Sequence, residues 1–421
     1  MSASTLITSP PSPTSPASPT SPWIATDCAN WLRDGGLQAL HLLGRRLLPI
    51  VQGGMGIGVS ASRLAGSVAA LGAMGTISSV DLRRHHPDLM ARTQGLTPGA
   101  AAREAIDAAN LEALEREITA ARVLAHGRGL LAINVMRAVT AYGPSISRAL
   151  ECRIDAVVVG AGLPLDLPDL AREHPHTALI PILSDARGVQ LVVRKWERKK
   201  RLPDAIVIEH PRLAGGHLGA AKIDDLKDPR FDFENAIPQS LAFLRSAGVE
   251  GQVPLIAAGG VRCQADIRRL QDLGASAVQM GTPFAVTTEG DADPAFKQVL
   301  AQARDDDLVE FTSVAGLPAR AVRTPWLETY LKLEGKLQAV AHPKSRCTKS
   351  FDCLAQCGLR DGFATWGQFC IDNQLAAALR GDTRKGLFFR GTGVLPFGDQ
   401  IRSVRDLMHK LLTGHVLLQG A

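Results

Sequence analysis

The sequence predicts an α/β protein, a (β/α)8 TIM barrel with a C-terminal, mainly helical extension. Three observations lead there. Eight short runs are predominantly apolar rather than alternating: Leu47–Gln52, Ala73–Ser79, Leu130–Met136, Ala156–Gly160, Ala178–Ser184, Ala205–Glu209, Val253–Ala258 and Ala277–Gly281. Amphipathic helical stretches lie between them. Glycine-rich turns follow several of the runs. Strands apolar on both faces belong to a parallel sheet covered on both sides. Eight of them alternating with helices fit a closed barrel, whose turns gather at one rim.

Taken in order, residues 1–27 form a Pro/Ser-rich tail, with Ser9-Pro10-Pro11-Ser12-Pro13 at its centre. Such a stretch buries no core and is expected to be disordered. It has neither the basic start nor the apolar middle of a secretory signal. Residues 28–325 hold the barrel. Its clearest helix is expected over Ala100–Ala125, with Ile106, Leu111, Leu114 and Ile118 on one face, and another over Gln264–Leu273. Residues 326–421 form an extension packed on the barrel, ending in a helix over Ile401–Leu412 with Val404, Leu407, Leu411 and Leu412 on one face.

Composition narrows the function. The 421 residues carry a net charge of +6 from 47 basic and 41 acidic side chains. That excess is mild for the length and comes with no nucleic-acid reading motif. No run reaches the roughly 20 apolar residues of a membrane span. Seven cysteines in a chain this long do not make a disulfide scaffold, which points to the cytoplasm.

The turns carry the chemistry. Ala258-Gly259-Gly260 after the seventh run and Gln279-Met280-Gly281-Thr282 after the eighth are the best phosphate site. Glycine lets a backbone approach a ligand closely, and N–H groups at a helix start face an anion. In barrels of this kind the phosphate commonly lies after strands seven and eight. The first turn, Gln52-Gly53-Gly54-Met55-Gly56, suggests a dinucleotide loop, but only Val80-Asp81 offers an acid after the second run. A turn wrapped around a flavin ring is the better reading, with Asn134 adding a side-chain amide; the plainer alternative for Asn134 is a turn cap. His217 follows Gly215-Gly216, which clear space around it, and imidazole moves protons near neutral pH. Glu209 and His210 read as structural.

These residues together resemble the nitronate monooxygenases, formerly 2-nitropropane dioxygenases. The likeness rests on Gln52–Gly56, Asn134, Ala214-Gly215-Gly216-His217-Leu218-Gly219, Ala258–Gly260, Gln279–Thr282 and Gly316-Leu317-Pro318-Ala319-Arg320, and runs from about Leu47 to Arg323. It implies non-covalent FMN, with His217 as base or polariser. It implies a small-molecule substrate, an alkyl nitronate, oxidised with O2 to a carbonyl compound and nitrite. Flavin-type enoyl-thioester reductases share the same turns, so an enoyl thioester reduced with NAD(P)H is the alternative. A barrel that holds FMN and only docks partners is a third. The fourth run ends Val159-Gly160-Ala161-Gly162, without the histidine better-characterised monooxygenases carry there, and the extension is longer and richer in cysteine than in the family.

Cys347, Cys353, Cys357 and Cys370 cluster in the extension, but their spacing matches no common metal-ligand pattern, so no metal is expected. Cys263 reads as packing. Arg194–Arg201 is strongly basic and reads as a solvated helix end; docking of an acidic partner, such as an acyl-carrier protein, is the alternative.

Overall fold

The computed structural model describes residues 23–97, 99–343 and 353–417. Eight parallel strands close into a barrel: β1 (Ile50–Gln52), β2 (Met74–Ser78), β3 (Leu130–Met136), β4 (Ala156–Gly160), β5 (Ala178–Leu183), β6 (Ile206–Glu209), β7 (Leu255–Ala258) and β8 (Ala277–Met280). β8 pairs back on β1, with Gln279 opposite Val51. Each expected run contains one strand. The first is shorter than read, because Pro49 interrupts it and Leu47 ends a small hairpin, Leu40–Leu42 with Arg45–Leu47.

Alternation along the strands sorts the core into two shells. Val51, Met74, Leu130, Ala132, Val158, Ile180, Val207, Ile256 and Ala277 fill the barrel interior. Leu40, Leu42 and Leu47 of the hairpin join that cluster and plug its N-terminal end. The intervening residues, such as Ile50, Ile133, Val157 and Val278, face the helices. Each fully buried Ile or Leu contributes about 1.5–3 kcal/mol of hydrophobic stabilisation.

The helices that pack on this outer shell include α1 (Ser62–Ala70), α2 (Ala100–Ala125), α3 (Tyr142–Glu151), α4 (Ala186–Glu197), α5 (Phe233–Ser246) and α6 (Gln264–Asp272). α2 spans the expected residues, with Ile106, Leu114 and Ile118 buried. The N-terminal stretch 1–22 lies outside the described residues, but the chain is already packed by Ile24 and Ala25. Trp23 accepts from Gly129 N through its carbonyl, and Arg45 stacks on its ring.

The extension is not simply appended. After β8 comes a single short turn of helix, Thr282–Ala285. The chain then runs through α7 (Pro294–Gln302), α8 (Pro325–Ala339) and α9 (Ile371–Leu379), and ends in α10 (Val404–Thr413). α10 packs against both α6 and α1, which is the place of the eighth barrel helix. Residues between Val286 and Ser403 are therefore an insertion between the eighth strand and its helix, and the barrel does not end at 325. Val404, Leu407, Leu411 and Leu412 are buried as their spacing requires.

The insertion is fastened to the barrel by a buried ion network. Arg84 bridges Asp81, at the end of β2, and Asp372 on α9, at 2.5 and 2.9 Å. Arg83 pairs with Asp81 at 2.9 Å. Asp81 thus serves a fastening and is not set out to meet a ribose. Burial and the nearby Asp372 carboxylate push its carboxyl upward.

Candidate functional site

The C-terminal ends of the strands form one mouth, and the elements around it show why each residue is there. Gln52 is fully buried and spends its amide inside the protein. Its Nε2 donates to Thr76 O at 3.1 Å and to Gly53 O, and its Oε1 accepts from Thr76 N at 2.9 Å. It pins the first turn to β2. Gly53 N donates to Met280 O, tying the turn to β8. Gly54 must lack a side chain, since a Cβ there would stand 2.2 Å from that of Asn134. Gly56 is exposed with open space beside it, and Met55 lies against Gly281.

Asn134 sits within β3, continuing the inward row of Leu130 and Ala132. It is half-buried. It belongs to the mouth and is not a turn cap. Gln279 likewise follows Ala277 inward and packs against Gly53. Met280 points into the outer shell and offers the mouth only backbone.

The turn after β7 suits an anion. Gly259 and Gly260 have φ of +111° and +72°, a region L residues rarely adopt. Among the described residues, the N–H groups of Gly259, Gly260 and Val261 have no hydrogen-bond partner. Three successive unused amides are what a phosphate needs. Across from them, Thr282 starts its helical turn, and its hydroxyl accepts from Gly391 N at 3.1 Å.

His217 lies on a two-residue strand, Gly216–His217, that pairs antiparallel with Pro318–Val322. That strand in turn pairs with Leu308–Thr312. Ser313, fully buried beyond it, holds the imidazole: Nε2 is 3.0 Å from Ser313 Oγ. Ser313 Oγ also accepts from Ala315 N. Burial pushes the imidazole down to about 4, so the ring is neutral at ordinary pH. With Nε2 engaged, Nδ1 is the nitrogen left for a ligand. Beneath this sheet, buried Arg320 donates to Ala214 O and pairs with Glu310 at 2.5 Å, fixing the loop that leads to His217.

The insertion supplies a wall that the sequence reading left out. Val322 N donates to Phe388 O, and Phe389 bridges Ala321, so this segment extends the small sheet. The Phe389 ring is 5.7 Å from that of His217. The chain then crosses the His217 loop, with Thr392 N donating to Leu213 O. Gly215 is obligatory at the crossing: a Cβ would lie 2.4 Å from the Arg390 carbonyl carbon and from Gly391 N. Gly216, at φ +74°, faces the Phe389 ring. Arg390 is buried and donates to the carbonyls of Leu300, Gly391 and Gly393. No local pattern announces Phe389 or Ser313, because each reaches His217 from far along the chain.

His210 reads as expected. It is buried, its Nε2 lies 3.3 Å from Asp232, and burial lowers its pKa. Glu209, in contrast, faces the mouth. Cys263, read as packing, is exposed. Cys347 lies outside the described residues, and among those described no group of three potential ligands could hold a metal ion. The basic run ends α4 and leads toward the start of β6, at the end of the barrel opposite the mouth. Two of its cations, Lys199 and Arg201, pair with Asp169 and Asp204. Among the described residues no helix is long and apolar enough to cross a membrane.

The nitronate monooxygenase family model matches residues 42–414, nearly the whole described chain. The chain belongs to the nitronate monooxygenase family. That family is one of flavin-dependent oxidoreductases. A probable nitronate monooxygenase of Staphylococcus haemolyticus is 31% identical over 133 residues, 31% of this chain and 35% of that protein. The match thus spans only about a third of the relative's length. Two solved structures share the fold. FabK from Thermotoga maritima has a TM-score of 0.59 at 20% identity, covering 92% of this chain and 95% of that one. A nitroalkane oxidase from Streptomyces ansochromogenes has a TM-score of 0.56 at 18% identity, covering 87% and 96%.

Proposed function

We propose that this nitronate monooxygenase family member binds FMN and oxidises alkyl nitronates with O2 to a carbonyl compound and nitrite. The observation that supports the reading most is His217: a neutral imidazole in the mouth, anchored through Nε2 and open at Nδ1. The amides of Gly259, Gly260 and Val261 would hold the phosphate, with Gly281 and Thr282 facing them. Gly53–Gly56, Asn134 and Gln279 would line the ring. Ala258 and Gly215–Gly216 would shape the gap between ring and His217, and Gln52 would keep the first turn in place. When bound, FMN supplies the redox chemistry.

The protein's own part is positional and protonic. A neutral nitroalkane must lose its α-proton before oxidation, and Nδ1 of His217 is the acceptor offered to it. A nitronate arrives already deprotonated, and the same nitrogen then orients it. The Phe389 ring, 5.7 Å from the imidazole, walls one side of it. Oxygen uptake by the purified protein with alkyl nitronates, set against NADH oxidation with an enoyl thioester, tests this. Activity on nitronates is expected. Activity on the thioester alone would replace the reading with that of a reductase.

A further inference from the structure

The inward row of β6 runs Ala205, Val207, Glu209. The first two belong to the interior cluster, and the two-residue period of a strand puts the third on the same face. Glu209 therefore ends its row in the mouth, paired in register with Ala258. Its Oε2 lies 3.3 Å from where a Cβ on Gly219 would stand. Ser184 Oγ is 2.5 Å from the same point and donates to Gly219 O at 2.9 Å. The carboxyl thus rests against the loop that carries His217.

Among the described residues nothing charged answers it. The neighbouring elements offer Ser184 at the end of β5, Ala258 and Gly259 after β7, and His217 on the loop, which is neutral. His210, next in sequence, turns its ring to Asp232. The buried guanidinium groups of Arg320 and Arg390, on the elements around the His217 loop, are spent on backbone carbonyls and on Glu310 and Asp305. Among the described residues no hydrogen bond or ion pair engages Glu209. Burial alone pushes its carboxyl up to about 7.

We propose that Glu209 acts as a neutral carboxylic acid that donates a hydrogen bond to an oxygen of an anionic substrate, so that the mouth holds an oxyanion without a fixed cation. The proposal rests on the nitronate reading for the identity of that anion. The proton stays on Glu209, and no covalent bond is made or broken. A buried carboxyl kept protonated is a stronger donor than a hydroxyl, and it carries no charge to repel the ligand. Ionised Glu209 would oppose the same ligand. Anion affinity is therefore retained below the Glu209 pKa and lost above it.

The test uses the full-length protein with its flavin. Propionate matches ethylnitronate in size and charge but cannot react, and its binding is followed by flavin absorbance between pH 6 and 8.5. The parent Kd is expected to stay level up to the Glu209 pKa and then rise by about tenfold per pH unit. The Glu209→Gln protein, which keeps a hydrogen-bond donor, should hold one Kd throughout. Infrared difference spectra of the two proteins should show a protonated carboxyl band in the parent that fades with rising pH and is absent in the variant. A level parent Kd, an equal rise in the variant, or no band difference overturns the proposal. Should the variant lose its flavin, the parent's own pH dependence still decides. Proton-linked propionate binding without oxygen uptake on nitronates would keep the anion site and reject the oxidative function, so the two failures are separable.

Discussion

At the scale of single residues, His217 and Ser313 form a unit whose parts have different tests. His217→Asn removes a titrating group but keeps the size and a hydrogen bond. Turnover should fall by about 10²–10⁴ with flavin content unchanged. The loss should be greater on neutral nitroalkane than on preformed nitronate; equal activity of parent and variant on every substrate would return His217 to a structural role. Ser313 acts through the imidazole and meets no substrate itself. Ser313→Ala should shift the acid limb of the kcat/KM profile, which in the parent should lie near the His217 value of about 4, and Ser313→Thr should restore it. An unmoved profile in the alanine protein would show that the serine only fills space. Glu209 adds a stability effect with a definite sign. Its folded pKa, raised from 4.5 to about 7, makes the folded state bind more protons than the unfolded across that window. Stability from this group is full below 4.5 and lost as pH rises through 7. Glu209→Gln should therefore melt higher than the parent at pH 8, and near the parent at pH 4.5. The histidine was legible because glycines flank it. The glutamate was not, because a lone acid at a strand end announces nothing until the inward row of Ala205 and Val207 is followed to its end.

At the scale of elements, the crossing of the insertion over the His217 loop is the sharpest feature. Gly215 faces backbone at 2.4 Å, so Gly215→Ala cannot be absorbed by a rotamer change. The crossing segment must move, carrying Phe389 away from His217. A displacement of about 1 Å near reacting groups costs on the order of 10² in rate. Turnover in Gly215→Ala should drop by that order while the far-ultraviolet dichroism holds; full activity would mean that the crossing does not shape the site. The strands and turns were readable because their apolar runs and glycines are local. The crossing was not, because Gly215 and Gly391 are brought together only by the three-dimensional path. The glycines of the His217 loop looked like space around a ligand, and one of them proves to be space for the chain itself.

At the scale of the whole molecule, two expectations follow from how the parts join. Three free amides after β7, with Asp81 taken up by its ion pairs to Arg83 and Arg84, favour FMN over FAD. Chromatography of the flavin released on denaturation should show FMN alone; FAD would contradict the site as drawn. The ion network of Asp81, Arg83, Arg84 and Asp372 fastens the insertion to the barrel. Asp372→Ala would leave Arg84 buried with half its compensation, at a cost of about 3–5 kcal/mol. A correspondingly lowered Tm is expected, and an unchanged one would make the network incidental. The sequence reading placed all eight strands yet drew the barrel's end at 325. Its closing helix lies over a hundred residues beyond β8, and a helical pattern does not say which gap it fills.

That late closing helix has a consequence for how the protein is made. The ring of helices around the strands stays open between α6 and α1 until Val404–Thr413 has been synthesised. Domains generally fold as units during synthesis, N-terminal parts first. Here the barrel cannot close before Val404–Thr413 is made, so a nascent chain leaves the outer face of β8 without its helix from the completion of that strand until the closing helix emerges. A chain cut between β8 and Val404–Thr413 would leave the barrel unsealed there, which makes the closing helix as intolerant of a stop codon before it as the strands are.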